Sequence, residues 1–149
     1  MSPTAQFSIY GVDLKNRQGL EEQKFSKDDW CNLLSISHRY DCERARERSI
    51  KEINKLVPPL ADVDKITMAK RFEVEEWLLP ACVALVERQA PLTSAEAHKL
   101  GLPTTVLLSE AREKWIQRQK SAMFNSYNSY NQQPNKDTSQ LVKEVLHIE

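Results

Sequence analysis

Glycine is nearly missing from this chain: Gly11, Gly19 and Gly101 are its only three glycines in 149 residues. A loop that cradles phosphate needs clustered glycines, so that backbone N–H groups can approach the anion. These three stand apart, which excludes such a loop, and the shortage of turn residues argues against an all-β protein. Cysteine is scarce as well. Cys31, Cys42 and Cys82 are an odd number at unrelated spacings, so no disulfide framework is expected; reduced thiols in a cytosolic or nuclear protein are. Neither sign of charge is in excess, since 21 basic and 21 acidic residues leave a formal net charge of zero. Nucleic-acid binders draw affinity from phosphate neutralisation and usually carry a basic excess or a basic face, so the balance argues against that role. No apolar run approaches the roughly 18 to 20 residues that span a bilayer. The opening MSPTAQFSIYG lacks a basic region followed by an apolar stretch, so no signal peptide is expected either.

What is present suits helix packing. Hydrophobic residues make up 40% of the chain and aromatics 7%, so the apolar content is mostly Leu, Val, Ala and Ile. The length fits one domain with a modest core. Residues 1 to 25 are weakly patterned and read as an irregular arm. Within it, Phe7 to Ile9 alternates briefly like a short strand, and the GVDLKNRQGLEEQK that follows reads as a polar loop.

From Ser26 the helical signals are clear. Ser26 is an N-cap, with Asp28 and Asp29 placed to complement the dipole of the first turn. Trp30, Leu33, Leu34, Ser37 and Tyr40 then fall on one face. Asp41 interrupts and is positioned to cap a second helix, on which Ala45, Ser49, Ile50, Ile53 and Leu56 keep helical spacing until Pro58 and Pro59 stop it. A third helix is predicted from about Ala61 to Phe72, with Val63, Ile66, Ala69 and Phe72 inward. A fourth carries Val74, Trp77, Leu78, Ala81, Cys82, Leu85 and Val86 on one face. Pro80 lies inside it and predicts a bend or a break, and Pro91 closes it.

Thr93 to Glu96 is a capping box that opens a short helix ended by Gly101. Val106, Leu107, Ala111 and Trp115 outline a long helix reaching about Met123. Asn125 to Gln140 is polar and of low complexity, which predicts a disordered linker. The closing SQLVKEVLHIE regains period at Leu141, Val142, Val145 and Leu146, as a short amphipathic helix that docks back or binds a partner. The expected architecture is thus all-α, with five to six helices over residues 26 to 123. Its expected core is Trp30, Leu33, Leu34, Ile53, Val63, Ile66, Phe72, Trp77, Leu78, Leu85, Val106 and Leu107.

Few residues group as chemistry would require. Cys31, His38 and Cys42 have the spacing C-x6-H-x3-C, with Cys82 needed as a fourth zinc ligand, but structural zinc wants closely paired ligands in a tight loop. Buried thiols and a surface histidine are expected instead. Arg39, Arg44, Arg46, Arg48 and Lys51 alternate with Glu43, Glu47 and Glu52, which reads as a solvated helix face rather than a patch for an acidic partner. Arg112, Lys114, Arg118 and Lys120 around Trp115 suggest a nucleic-acid surface, the main alternative function, although cations late in a helix also suit its dipole. Trp77 is read as core rather than as an exposed hot spot. Glu75 and Glu76 read as first-turn acids. Cys82 with His98 is the nearest approach to a nucleophile and base, and nothing supplies an activating third group. No catalytic, cofactor-binding or metal-binding residue is therefore assigned, and no enzyme activity is expected.

The segments FSIYG, KDDWCNLLSISHRYDCERARERSIKEI, VDKITMAKRFEVEEWLLPACVALVERQAPLTSAEAHKLGL, TTVLLSEARE and LVKEVL together resemble the C-terminal part of the BTB/POZ-domain proteins abundant in mushroom-forming fungi. Val63 to Glu113 is the specific block of the resemblance. The resemblance implies that residues 26–57 are the closing helix pair of a BTB domain and residues 58–123 the start of a BACK-like extension. Residues 124–149 would then be a linker with a short closing helix. It also implies protein interaction as the function, without active site or cofactor. Partners would be a BTB-type dimer mate or a cullin, in the manner of a ubiquitin-ligase substrate adaptor. Full members carry a mixed sheet and helices ahead of FSIYG that form the BTB core and dimer interface. The chain is expected to lack these, as a natural short form or a truncated gene model.

Overall fold

A computed structural model describes residues 24–126 and 138–148. Seven α-helices are found there and no strand: α1 Lys27–Arg39, α2 Glu43–Asn54, α3 Asp62–Phe72, α4 Glu75–Glu87, α5 Ser94–Leu100, α6 Leu102–Ser126 and α7 Thr138–Leu146. The all-α expectation holds. The strand expected at Phe7 to Ile9 lies outside the described residues, as does most of the polar loop after it. Of the expected disordered linker, Asn125 and Ser126 belong to α6 and Thr138 to Gln140 belong to α7, while 127–137 lie outside the described residues.

The helix starts follow local chemistry. At α1 the Ser26 hydroxyl accepts from the Asp29 N–H and the Asp29 carboxylate accepts from the Ser26 N–H at 2.8 Å, a full capping box. Thr93 and Glu96 form the same device at α5. Asp41 does not cap α2. It sits in the left-handed region at φ 53°, and Cys42 precedes the helix with no side-chain cap.

The reason is how α1 ends. Three helices stop by one motif without a glycine: Asp41, Glu73 and His147 hold positive φ after α1, α3 and α7. In each case the next residue's N–H reaches back five positions, Cys42 to Ser37, Val74 to Ala69 and Ile148 to Lys143. This 6→1 bond satisfies a carbonyl that the helix end would otherwise orphan, and the residue after the turn usually packs back on the helix. Val74 does so at 2% exposure. Among the described residues, only Gly101, at φ 79° and ψ 158°, has a backbone that glycine alone adopts readily.

Pro80 neither breaks nor divides α4, which runs continuously from Glu75 to Glu87. Pro80 is exposed, so the bond its missing N–H removes is on the solvent-facing side of the helix, where the freed carbonyl is open to water.

The α3–α4 pair is the spine. At one end, Ala69, Phe72, Val74 and Trp77 pack with Leu34 of α1, Ile53 of α2 and Leu60. At the other, Val63, Ile66, Ala81, Cys82, Leu85 and Val86 pack with Leu108 and Ala111 of α6 and Leu141, Val142 and Val145 of α7. Leu78, half-buried, touches both clusters. The closing amphipathic helix therefore docks back, between α4 and α6. Ser37 and Ser49 are buried on α1 and α2, and each hydroxyl returns to a carbonyl of its own helix, at 2.9 and 2.7 Å, so burial orphans no polar group.

The expected core needs correction on α6. Val106 is 54% exposed and Leu107 half-buried; the buried positions are Thr104, Leu108 and Ala111. The run Val106-Leu107-Leu108 is apolar in every phase, so periodicity alone cannot choose its inward member. The helix start at Leu102 and the position of α7 choose it. Trp30, Leu33 and Leu78 are half-buried rather than central, and Tyr40, beyond the last turn of α1, is 69% exposed.

Candidate functional site

The residues weighed for catalysis are not brought together. Cys82 is fully buried on α4, and the apolar surroundings push its thiol up to about 11, away from the thiolate a nucleophile requires. His98 is exposed on α5, which packs on α3 and α6 and not on α4. The zinc constellation is dispersed too. Cys31 is half-buried with its sulfur 4.0 Å from that of Met68, and burial raises its pKa. His38 lies edge-on to Phe72 at 5.8 Å, Cys42 is exposed and Cys82 belongs to the other core cluster. Among the described residues, no three His, Cys, Asp or Glu side chains are grouped to hold a metal ion. Trp77 is core, 5% exposed, with its indole N–H donating to Asn54 Oδ1 at 2.8 Å.

The basic runs have definite local employment. The Arg46 guanidinium donates to the Phe72 and Glu73 carbonyls at 3.3 and 2.9 Å, closing the C-terminus of α3. Arg112 does the same for α4, donating to the Leu85 and Gln89 carbonyls at 3.2 and 2.5 Å. Orphan carbonyls and the negative end of the helix dipole both favour a cation there. Arg48 pairs with Glu52 at 3.1 Å, Lys114 with Glu110 at 2.6 Å, and Arg118 reaches Glu144 of α7 at 4.0 Å. Two of the arginines a nucleic-acid reading relies on are thus held by backbone, and others are paired with acids.

A polar junction ties the end of α4 to the start of α5. Arg88 grips Glu96 with two bonds of 2.8 and 2.9 Å and also donates to the Ala90 and Pro91 carbonyls. With Thr93 N–H adding a third bond, the Glu96 carboxyl is held down at about 2. Glu96 thus serves its capping box and the ion pair at once.

Two kinds of surface feature among the described residues suit binding. The first is apolar. Leu33 of α1 is half-buried, Ile36 of α1 is 54% exposed, and Tyr40, just past the end of the helix, is 69% exposed, three positions spaced to form one stripe beside the buried face. The second is a set of concavities. An open groove of about 680 Å³ runs between the start of α5 and the outer side of α6, past Leu92, Ala97 and Ile116. A smaller pocket of about 290 Å³ lies where α3 and α5 end, and Lys70, Arg71 and Lys99 are among its lining residues. The sequence reading missed these three. The signal was present, since Lys70 and Arg71 occupy the last turn of α3 and Lys99 that of α5, but nothing local says that the two helices end side by side.

Comparison of the chain with known protein families, with curated proteins and with solved structures finds no match. Among the described residues, no helix is long and apolar enough to cross a membrane.

Proposed function

We propose that the chain is a non-enzymatic protein-interaction module of BTB/POZ-like type. In this reading α1 and α2 correspond to the closing helix pair of a BTB domain, and α3 onward to a BACK-like extension. Its role is that of a substrate adaptor of a cullin-RING ubiquitin ligase, acting in the cytoplasm or nucleus. The observation that carries the reading is the stripe of Leu33, Ile36 and Tyr40 on the helix pair. Aromatic and aliphatic side chains left on a helix face beside a closed core are what a protein partner buries. The sequence resemblance supports the more specific assignment. The employment of Arg46 and Arg112 as helix closures weighs against nucleic acid.

The test is size-exclusion chromatography with light scattering, on the chain alone and with a fungal cullin N-terminal domain. Co-elution that is lost in Ile36→Asp/Tyr40→Asp supports the adaptor reading. A well-behaved monomer that ignores the cullin refutes the adaptor role and leaves the search to pull-down with other partners. Heterogeneous aggregates point to a fragment whose apolar face is meant to be covered. Turnover of any substrate, abolished by changing Cys82 or His98, sinks the non-enzymatic reading itself.

A further inference from the structure

The pocket at the joint end of α3 and α5 is lined by Ile66, Thr67, Lys70, Arg71, Lys99 and Leu100. Three of these six are cations and none is an acid. The cations come from two helices that approach only in the folded chain, so their convergence is a tertiary feature and not a charged run. Elsewhere on the described surface several cations are paired with acids: Arg48 and Lys55 with Glu52, Arg88 with Glu96, Lys114 with Glu110.

At this pocket one cation of the three is paired with an acid. Lys99 pairs with Asp64 at 3.0 Å, across to α3. Lys70 instead donates to the Thr104 hydroxyl at 2.6 Å, a neutral partner. Arg71 lies over the Phe72 ring at 5.5 Å and has no ion pair among the described residues. Two cations in excess thus remain at one concavity of a chain whose net charge is zero. The aliphatic floor of Ile66 and Leu100 lowers the local dielectric and strengthens the field felt by an anion placed there. At about 290 Å³, the pocket is at or below the lower end of the about 300–1,000 Å³ of small-molecule sites. It suits one or two side chains of a longer segment better than a cofactor.

We infer that the Lys70–Arg71–Lys99 pocket docks an acidic peptide segment of a protein partner, taking a Glu or Asp carboxylate between the two helix ends. This rests on the reading of the chain as a protein-interaction module and adds the chemistry of what it binds. Arg71 supplies the fork that a carboxylate can engage with two bonds, Lys70 a second charge already steered by Thr104, and Lys99 a third that exchanges between Asp64 and the incoming acid.

The experiment is fluorescence anisotropy of the full chain with a labelled peptide of alternating Glu and Ser. The same peptide with Gln for Glu and a labelled single-stranded oligonucleotide are run in parallel at low and high salt. Binding of the Glu peptide that is salt-sensitive and about tenfold weaker in Lys70→Gln/Arg71→Gln/Lys99→Gln is expected, since three partly exposed pairs are lost. Arg44→Gln/Arg48→Gln/Lys51→Gln, which removes equal charge from α2, should stay within about twofold of the parent chain by the same reasoning. Because Lys70 and Lys99 also hold the fold together, Arg71→Gln alone is the second variant, expected to weaken binding about threefold. The inference is overturned if the Glu peptide does not bind, if the Gln peptide binds equally, or if both triple variants weaken binding alike. It is also overturned if the oligonucleotide binds more tightly and is lost with the same pocket variants, which would assign the pocket to nucleic acid. A chain that co-elutes with a cullin and ignores the peptide overturns this inference alone. One that binds the peptide but no cullin keeps it and loses the adaptor role.

Discussion

Removing Leu141 tests whether the closing helix is structural. Leu141 is 1% exposed and packs in the cluster shared by α3, α4, α6 and α7. Leu141→Ala deletes three carbon atoms from that cluster, about 2.4 kcal/mol of transfer free energy at about 0.8 kcal/mol per buried methylene. A cavity term adds to this, bringing typical buried Leu→Ala changes to about 2–5 kcal/mol. The void here borders α7, a nine-residue helix joined to the rest through a polar segment, so the walls can partly collapse. About 2.5–3.5 kcal/mol is therefore expected. The assay is urea unfolding followed by tryptophan fluorescence, since Trp115 packs against this cluster, with Gln140→Ala on the exposed side as the control. Amide exchange supplies the second readout. If α7 is the weakest element, its protection falls first while that of α4 persists. A loss under about 1 kcal/mol, with α7 amides as unprotected in the parent chain as in the variant, would refute the reasoning. It would mean that this helix is not part of the core.

Other outcomes follow from the same geometry. Gly101→Ala is expected to cost roughly 1–3 kcal/mol in the same unfolding assay. Nothing crowds the new Cβ, and the cost is the backbone at φ 79° and ψ 158°. Glu73→Gly is the opposite case, expected to stabilise by about 0.5–1 kcal/mol because Glu73 holds φ 55° and its contact with Arg46 is through a backbone carbonyl. With a thiol reagent, exposed Cys42 should react at once, half-buried Cys31 more slowly, and Cys82 at the rate of unfolding, since burial lifts its thiol to about 11. Fast labelling of Cys82 in the folded chain would contradict its placement. The Glu96 carboxyl is depressed from 4.5 to about 2, so its contribution is fully present above about pH 4.5. It should be lost as pH falls from about 4.5 to about 2, because the unfolded state takes the proton first. Arg88→Leu should flatten that part of the stability curve; an unchanged slope would mean that the pair contributes nothing.

Local signals recover most of the helices. Thr93 with Glu96 and Gly101 mark boundaries where the structure has them, because capping acts within a few residues; the paired prolines at 58 and 59 do not, since α2 ends earlier, at Asn54, and Leu56 lies beyond it. The inward face of α3 was legible for the same reason, since Val63, Ile66, Ala69 and Phe72 form one apolar stripe at helical period; on α4, apolar from Trp77 to Val86, the expected face is buried except at Leu78, which is half-buried. The ends of α1, α3 and α7 were not, because Asp41, Glu73 and His147 do the work of glycine. Nothing in their chemistry forces a left-handed residue; the packing of Val74 and its neighbours after the turn stabilises it.

By itself, then, the sequence determined that the chain is helical, where most helices begin, and which residues of α3 and α4 are buried. The tertiary structure decided the rest: which of Val106, Leu107 and Leu108 points inward, and that α7 closes the core. It also decided that Arg46 and Arg112 serve carbonyls of other helices, and that Lys70, Arg71 and Lys99 meet at one pocket. The division has one physical cause. Capping, proline and periodicity are set by residues within about one or two helical turns of one another. A core partner or an ion-pair partner is set by which helices meet, as for Arg112 with Leu85, separated by 27 positions.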